Sequence, residues 1–384
     1  MKDEFNFRSK LPFTKTSIFA VMTKMSNEYN AINLSQGFPD FDVPEELRNL
    51  VNENIAKGRN QYAPMPGIPE LRENISKKIR KDYKRYYDPE TEITITAGAT
   101  QALYTAITAL IDKGDEAIIP EPAYDSYVPA VVANGGVPVF ITMKSSDYKI
   151  DWEKIRRYVN NRTRLIILNS PHNPTGSVIT EEDIKNLEDI VSNSGIFVVS
   201  DEVYEHIVFD GRKHLSLASS EILSERSFVI SSFGKTFHAT GWKMGYCAAP
   251  KALTDEFRKI HQFVVFSVNT PIQYAYAEFL KNEKHYKSLG DFYSSKRDVF
   301  LNAIRDSRFK WKPTEGTYFQ LLDYSDISED DDMSFASFLT KEKGVAAIPL
   351  SPFYSRGNDE KLIRICFAKR NEVLARAGKI LSIL

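Results

Sequence analysis

Five places in this 384-residue sequence carry side chains whose types and spacing could do chemistry. The run Ser231-Ser-Phe-Gly-Lys235-Thr-Phe-His-Ala-Thr-Gly-Trp-Lys243-Met-Gly245 follows a short apolar stretch. An amine held at such a point can attack a carbonyl and carry a covalent intermediate. Gly234 allows a close backbone approach, and the two serines offer hydroxyls to a phosphate. A lone lysine after a strand is ordinarily a solvated surface residue, so the weight lies on the whole run. Upstream, Ser200-Asp201-Glu202-Val203-Tyr204 closes another apolar stretch; Asp201 taken alone could simply cap a helix. Asn169-Ser-Pro-His-Asn173-Pro-Thr-Gly176 is, by itself, an ordinary turn signal. Ala97-Gly98-Ala99-Thr100-Gln101 lies between a strand pattern and a helix pattern, where free backbone N–H groups bind phosphate. Arg364 interrupts the apolar run Leu362 to Phe367, and a buried guanidinium calls for a carboxylate, whether from the protein or from a ligand.

The elements that must position these groups are legible around them. Glu92 to Thr96, Ala117 to Ile119, Val137 to Thr142, Leu165 to Leu168, Ile196 to Ser200 and Phe228 to Ser231 read as short strands. Helical patterns such as Ala99 to Leu110 and Glu181 to Ser192 lie between several of them. Strand and helix alternating in this way predict an α/β fold with a mostly parallel sheet, helices on both faces, over roughly Pro44 to Ser267. Ligands of open α/β sheets bind beyond the carboxyl ends of the strands, and four of the five places follow a strand. After Pro271 the texture changes to α+β: helices over Ile272 to Asn282 and Tyr286 to Asp306, a strand at Thr317 to Leu322, then the stretch Phe335 to Lys343, and a strand-like run at Leu362 to Phe367. We expect a large domain over residues 44–280 and a small domain made of residues 1–43 with 281–384. The basic run Lys77 to Arg85 reads as the solvated face of an amphipathic helix, and the acidic run Asp326 to Asp332 as a helix N-terminus.

Charge and composition exclude several classes. The 50 basic and 51 acidic side chains leave a net charge of -1, which offers nothing to nucleic acid or an anionic membrane. No stretch approaches ~20 consecutive apolar residues. The start Met1-Lys2-Asp3-Glu4-Phe5 lacks the pattern of an export signal, and Cys247 and Cys366 stand in no ligand or disulfide spacing. A cytoplasmic, metal-free protein is the expectation.

The lysine run resembles the signature of the class I and II aminotransferases, and the likeness extends from about Thr14 to the C-terminus. It implies pyridoxal 5'-phosphate as cofactor, carried as a Schiff base on Lys235, within fold type I: a large domain with a mostly parallel, mixed seven-stranded sheet sandwiched by helices, plus a small α+β domain. The resemblance gives Asp201 the pyridine nitrogen, Tyr204 and Asn173 the phenolic oxygen, and Tyr124 the ring face. It places the phosphate among Gly98, Ala99, Thr100, Ser232 and Lys243, with Asn169 beside the ring. Arg364 would clamp the substrate carboxylate, with Asn173 and the Gly37 backbone beside it. Ser35-Gln-Gly-Phe-Pro-Asp-Phe41, Gln61-Tyr-Ala-Pro64 and Ala347-Ile-Pro-Leu350 are similar to the kynurenine aminotransferase (glutamine transaminase K) branch, bacterial methionine aminotransferases above all. Its members are homodimers with shared active sites, so Tyr62 would reach the neighbour's phosphate and Asn269 its pocket. Ile18, Phe19 and Tyr62 would flank the substrate side chain. Thr100 is small where kynurenine-preferring relatives can carry an aromatic, which ranks kynurenine below methionine.

The implied reaction is ping-pong transfer of the amino group of a neutral L-amino acid to a 2-oxo acid, with methionine first and aromatic residues, glutamine and kynurenine next. No second arginine stands in a family motif to bind a distal carboxylate. A cysteine-conjugate C–S β-lyase on the same scaffold is the alternative, distinguished by release of pyruvate and ammonia. A nicotinamide oxidoreductase is disfavoured because no G-x-G-x-x-G follows a strand. Intact Lys235 and Asp201, without a DNA-binding appendage, argue against a non-catalytic ligand sensor.

Overall fold

The computed structural model describes residues 9–384; the acidic N-terminal stretch read above lies outside them. In chain order the strands are β1 (Ile32–Asn33), β2 (Ile93–Thr96), β3 (Glu116–Glu121), β4 (Val137–Thr142), β5 (Thr163–Asn169), β6 (Phe197–Asp201), β7 (Ser227–Ser232), β8 (Gly245–Ala248), β9 (Phe319–Asp323), β10 (Val345–Ala346), β11 (Ile348–Pro349) and β12 (Leu362–Cys366). Seven of them form one sheet in the order β2-β8-β7-β6-β5-β3-β4. Pairing is parallel from β4 through β7, while β8 runs antiparallel to both β7 and β2.

Short apolar runs become central strands here because both of their faces are covered. Side chains alternate between two cores: Ala117, Ile119, Leu165 and Ile167 enter one, and Ile118, Ile166 and Leu168 the other. Helices Gly98–Leu110 and Lys251–Val264 cover the first with Ala102, Ala106, Leu253 and Phe257. Helices Pro69–Tyr83 and Glu181–Ser192 cover the second with Leu71, Ile75, Ile79, Leu187 and Ile190. The latter helix begins on a capping box in which Thr180 and Asp183 satisfy each other's backbone N–H groups.

A smaller antiparallel sheet has the order β11-β12-β9 and sets Arg364 opposite Ile348 and Leu321. The N-terminal segment joins this part of the chain. β1 pairs in parallel with β10, and Leu34 accepts the Cys366 N–H at 2.8 Å.

Three sequence expectations need correction. β8 was not anticipated, because four fully buried residues following the lysine run carry no alternation to read. The helix expected over Tyr286 to Asp306 is two, Lys284–Lys287 and Leu289–Ala303, separated at Ser288. Lys78 is not part of a solvated face: it is buried and donates to Glu205 at 2.7 Å. Burial pushes the Glu205 carboxyl up, but Lys78, His206 and Ser231 together hold it well below the usual range. The Asp326 to Asp332 run does end in a helix start, with Asp331 capping Asp332–Glu342.

Gly176 ties the turn after β5 to the segment before β9. Its φ is +75°, its N–H donates to His172, and its carbonyl accepts from Gly316 at 2.9 Å. A Cβ there would lie 1.6 Å from Thr314 Oγ1. Gly176→Ala is therefore expected to cost about 3 kcal/mol, combining left-handed strain with overpacking. Thermal melting against wild type reads this; an unchanged midpoint would show that Thr314 yields freely.

Candidate active site

The direction of the strands brings the chemistry to one edge. The carboxyl ends of β2, β3, β5, β6 and β7 lie together, and β8 contributes its amino end because it runs the other way. The connections leaving those ends carry Gly98 to Thr100, Tyr124, Asn173, Tyr204 and Lys235, while Lys243 precedes β8. Gly245 makes this convergence possible: a Cβ there would stand 2.6 Å from the Ser231 carbonyl and 3.2 Å from the Ala99 nitrogen.

A cavity of about 320 Å³ opens at this edge. Gly98, Ala99, Thr100, Tyr124, Asn169, Asn173, Asp201, Tyr204, Ser232, Lys235 and Lys243 line it, with Gly37, Phe19 and Arg364 from the smaller part of the molecule. Ile18 does not; it packs against the main core, and its neighbour Phe19 faces the cavity. Tyr62 and Asn269 are also absent from the lining and lie exposed on the surface, Asn269 as the cap of helix Thr270–Phe279.

Asp201 is buried at the end of β6. Its Oδ2 accepts from the Tyr127 hydroxyl at 2.6 Å, and its Oδ1 accepts from the Val203 N–H at 3.3 Å. Burial pushes its carboxyl up to about 6, against those two bonds and the Lys235 charge. A cationic donor set against Asp201 would draw it back to the anion. Asn169, register partner of Asp201, spends its side chain on the backbone: it accepts the Asn173 N–H at 2.7 Å and donates to the Asp201 carbonyl at 2.9 Å. It braces the two strand ends while also lining the cavity.

Lys235 Nζ donates to the Gly37 carbonyl at 3.1 Å, which also accepts from the Tyr318 hydroxyl at 2.7 Å. Burial lowers its ammonium to about 8, and the neighbouring charges of Arg364 and Lys243 act in the same direction. A substantial neutral fraction near physiological pH is what a nucleophilic or basic amine requires.

Arg364 is 1 % exposed. One terminal nitrogen donates to Asn173 Oδ1 at 2.6 Å and the other to the Ser35 carbonyl at 3.1 Å, while its buried Nε has no partner. The guanidinium lies 3.9 Å from the Phe319 ring centroid. Burial lowers it to about 10, which still leaves it cationic at neutral pH. A buried cation hydrogen-bonded only to neutral groups is a receptor for an anion. The same cavity is lined by the first turn of helix Gly98–Leu110, Ser232 and Lys243, groups whose N–H, hydroxyl and ammonium donors suit a second anion. Two anion sites flanking an amine and a buried carboxyl fit a phosphorylated aromatic cofactor and a carboxylate substrate.

Several contributors were not singled out by sequence. Tyr127 bonds Asp201 across 74 positions, three residues beyond Tyr124. Gln36 lines the cavity and donates to the Phe19 carbonyl at 2.7 Å and to Thr23 Oγ1, so it fixes where Phe19 stands. Phe319 supplies the aromatic face under Arg364.

This fold and site define an enzyme of amino-group transfer, and the chain belongs to the family described as Aminotransferase class I and II, whose profile matches residues 29–379. It is 48% identical over 373 residues to the methionine aminotransferase of Escherichia coli strain K12, covering 97% of each chain. It is 34% identical over 401 residues to the kynurenine–oxoglutarate transaminase of Dictyostelium discoideum, covering 94% of this chain and 92% of that one. Among solved structures, the Escherichia coli protein YbdL, identified with a methionine aminotransferase function, superimposes with a TM-score of 0.97 at 48% identity, covering 99% and 100% of the two chains.

Proposed function

We propose that this aminotransferase uses pyridoxal 5'-phosphate on Lys235 and takes neutral L-amino acids as donors, methionine first. The carrying observation is that Lys235, Asp201 and Arg364, whose Nε has no partner, meet in one cavity where the basic residues among the described ones are Lys235, Lys243 and Arg364. Asp201 would hold the pyridine nitrogen, Asn173 and Tyr204 the phenolic oxygen, Tyr124 the ring face, and Gly98 to Thr100 with Ser232 and Lys243 the phosphate. When bound, the cofactor supplies an electron sink for the charge left at the donor Cα. Arg364 orients the donor through its carboxylate, with the Asn173 amide beside it. Lys235 Nζ takes the proton from Cα and returns it during transfer. Phe19, which lines the cavity and packs edge to face on Phe353 at 5.8 Å, offers an apolar surface to the donor side chain.

With all three cations engaged, an uncharged donor side chain leaves no buried charge unpaired. Donors can be ranked with a single 2-oxo acid acceptor, following 2-oxo acid formation. Methionine should give the highest kcat/KM, with aromatic donors and glutamine next. Pyruvate and ammonia from a cysteine conjugate, without dependence on an acceptor, would instead favour the C–S lyase reading.

We further propose a homodimer with shared sites. The exposed Tyr62, Phe263, Val264 and Phe266 support it, with Tyr62 and Phe266 packed edge to face at 5.1 Å. Tyr62, and Asn269 beside them in sequence, would act in the neighbour's pocket. Residues 44–280 and the remainder act as large and small domains, and the two free, buried cysteines suit a cytoplasmic setting. No described helix is long and apolar enough to cross a membrane.

A further inference from the structure

Asp125 does not itself line the cavity; it follows the lining residue Tyr124 and meets the start of the N-terminal helix Ile18–Glu28, whose Phe19 also lines it. Its Oδ2 accepts a 2.6 Å hydrogen bond from the hydroxyl of Ser17, the residue just before that helix. Phe19, two positions on, has its ring centroid 6.4 Å from that of Tyr124 and 5.2 Å from the Arg364 guanidinium. The carboxylate is therefore pinned between two segments that each supply one residue of the cavity wall, Tyr124 and Phe19. Its pinning partner is a neutral hydroxyl, so its charge is not cancelled there.

That charge bears on two groups of the cavity. Burial and then Asp125 push the Tyr124 phenol up to about 12, and Asp125 is also among the charges acting on Arg364. No basic residue of the cavity is left to offset it once Lys235, Lys243 and Arg364 are engaged.

We propose that Asp125, held next to the cavity wall by Ser17, is a specificity-determining residue that discriminates against amino donors with a second carboxylate. The inference rests on the aminotransferase reading and adds a source of selectivity to it. Bringing like charges together in a partly hydrated site weakens binding on the order of tenfold.

Glutamine and glutamate isolate the charge because their shapes are alike. In the holoenzyme, Asp125→Asn should raise kcat/KM for glutamate relative to glutamine about tenfold, since the side-chain oxygen still accepts from Ser17 while the charge is gone. Ser17→Ala, which removes the bond and keeps the charge, should leave the ratio nearer to wild type. An unchanged ratio in Asp125→Asn overturns the proposal, and so does an equal shift in Ser17→Ala, which would make the role mechanical. Binding of α-methylglutamine and α-methylglutamate, which lack a transferable Cα proton, is read in parallel from the cofactor's absorbance. If neither natural donor is turned over, the proposed donor class fails, and the α-methyl pair still decides the role of Asp125.

Discussion

Replacing Lys235 with alanine is expected to lower turnover by more than about 10⁴-fold while leaving the fold intact. Both halves follow from its surroundings. The side chain makes one hydrogen bond, to the Gly37 carbonyl, and that carbonyl keeps the Tyr318 hydroxyl at 2.7 Å when the amine is gone. Little structure therefore depends on it. Chemistry depends on it heavily, because among the residues lining the cavity the other two cations stand in the two anion sites.

Lys235 is also the group whose ammonium burial lowers to about 8, so it can accept a proton near neutral pH. In cofactor-free protein, labelling of Lys235 by an amine-directed reagent should rise with pH and reach half its maximum near 8, where the neutral amine becomes the major form. Borohydride treatment of the wild-type holoenzyme should leave the cofactor covalently on the Lys235 peptide, as read by mass spectrometry. The alanine variant should show no such adduct and a melting temperature close to wild type. A variant with turnover within about tenfold of wild type would remove Lys235 from the reaction.

The sequence was most informative where a function needs several residue types close together in the chain. The lysine run held its serine, lysine and second cation within one segment, and strand direction then delivered them to a common edge. Its limits appear wherever two distant segments meet. Tyr127 and Asp201, Ser17 and Asp125, and Lys78 and Glu205 are joined by hydrogen bonds across 74, 108 and 127 positions. Each pair joins residue types that also occur as ordinary solvated or core side chains, so neither member marks the other. The same limit explains Ile18 and Phe19: both are apolar, and only the phase of the helix start decides which one faces the cavity. β8 was illegible for a different reason, since four residues buried throughout show no period.

Arg364 yields the second large effect, and here stability and activity should part company. Arg364→Leu is expected to lower kcat/KM by roughly 10²–10³-fold, about 3–4 kcal/mol, because a substrate carboxylate loses a planar, charge-assisted partner in a water-poor site. The ligand-free fold should scarcely notice. Its guanidinium is held there at a desolvation cost, with Nε unsatisfied and no carboxylate to offset the burial. Leucine would strand the Asn173 and Ser35 acceptors but relieve that buried charge and place an apolar side chain near the rings of Phe319, Phe19 and Phe353 that surround the guanidinium. The two sides nearly cancel, so the melting temperature should stay within about 3 °C of wild type. Arg364→Lys tests geometry against charge. An ammonium keeps the sign but not the fork, so its kcat/KM should fall between wild type and the leucine variant. Melting curves and donor titrations on the three proteins decide between the possibilities. A leucine variant that binds donor normally would show that the carboxylate is held elsewhere. One that melts far below wild type would show that Arg364 is a structural ion, and that its empty Nε is not awaiting a substrate.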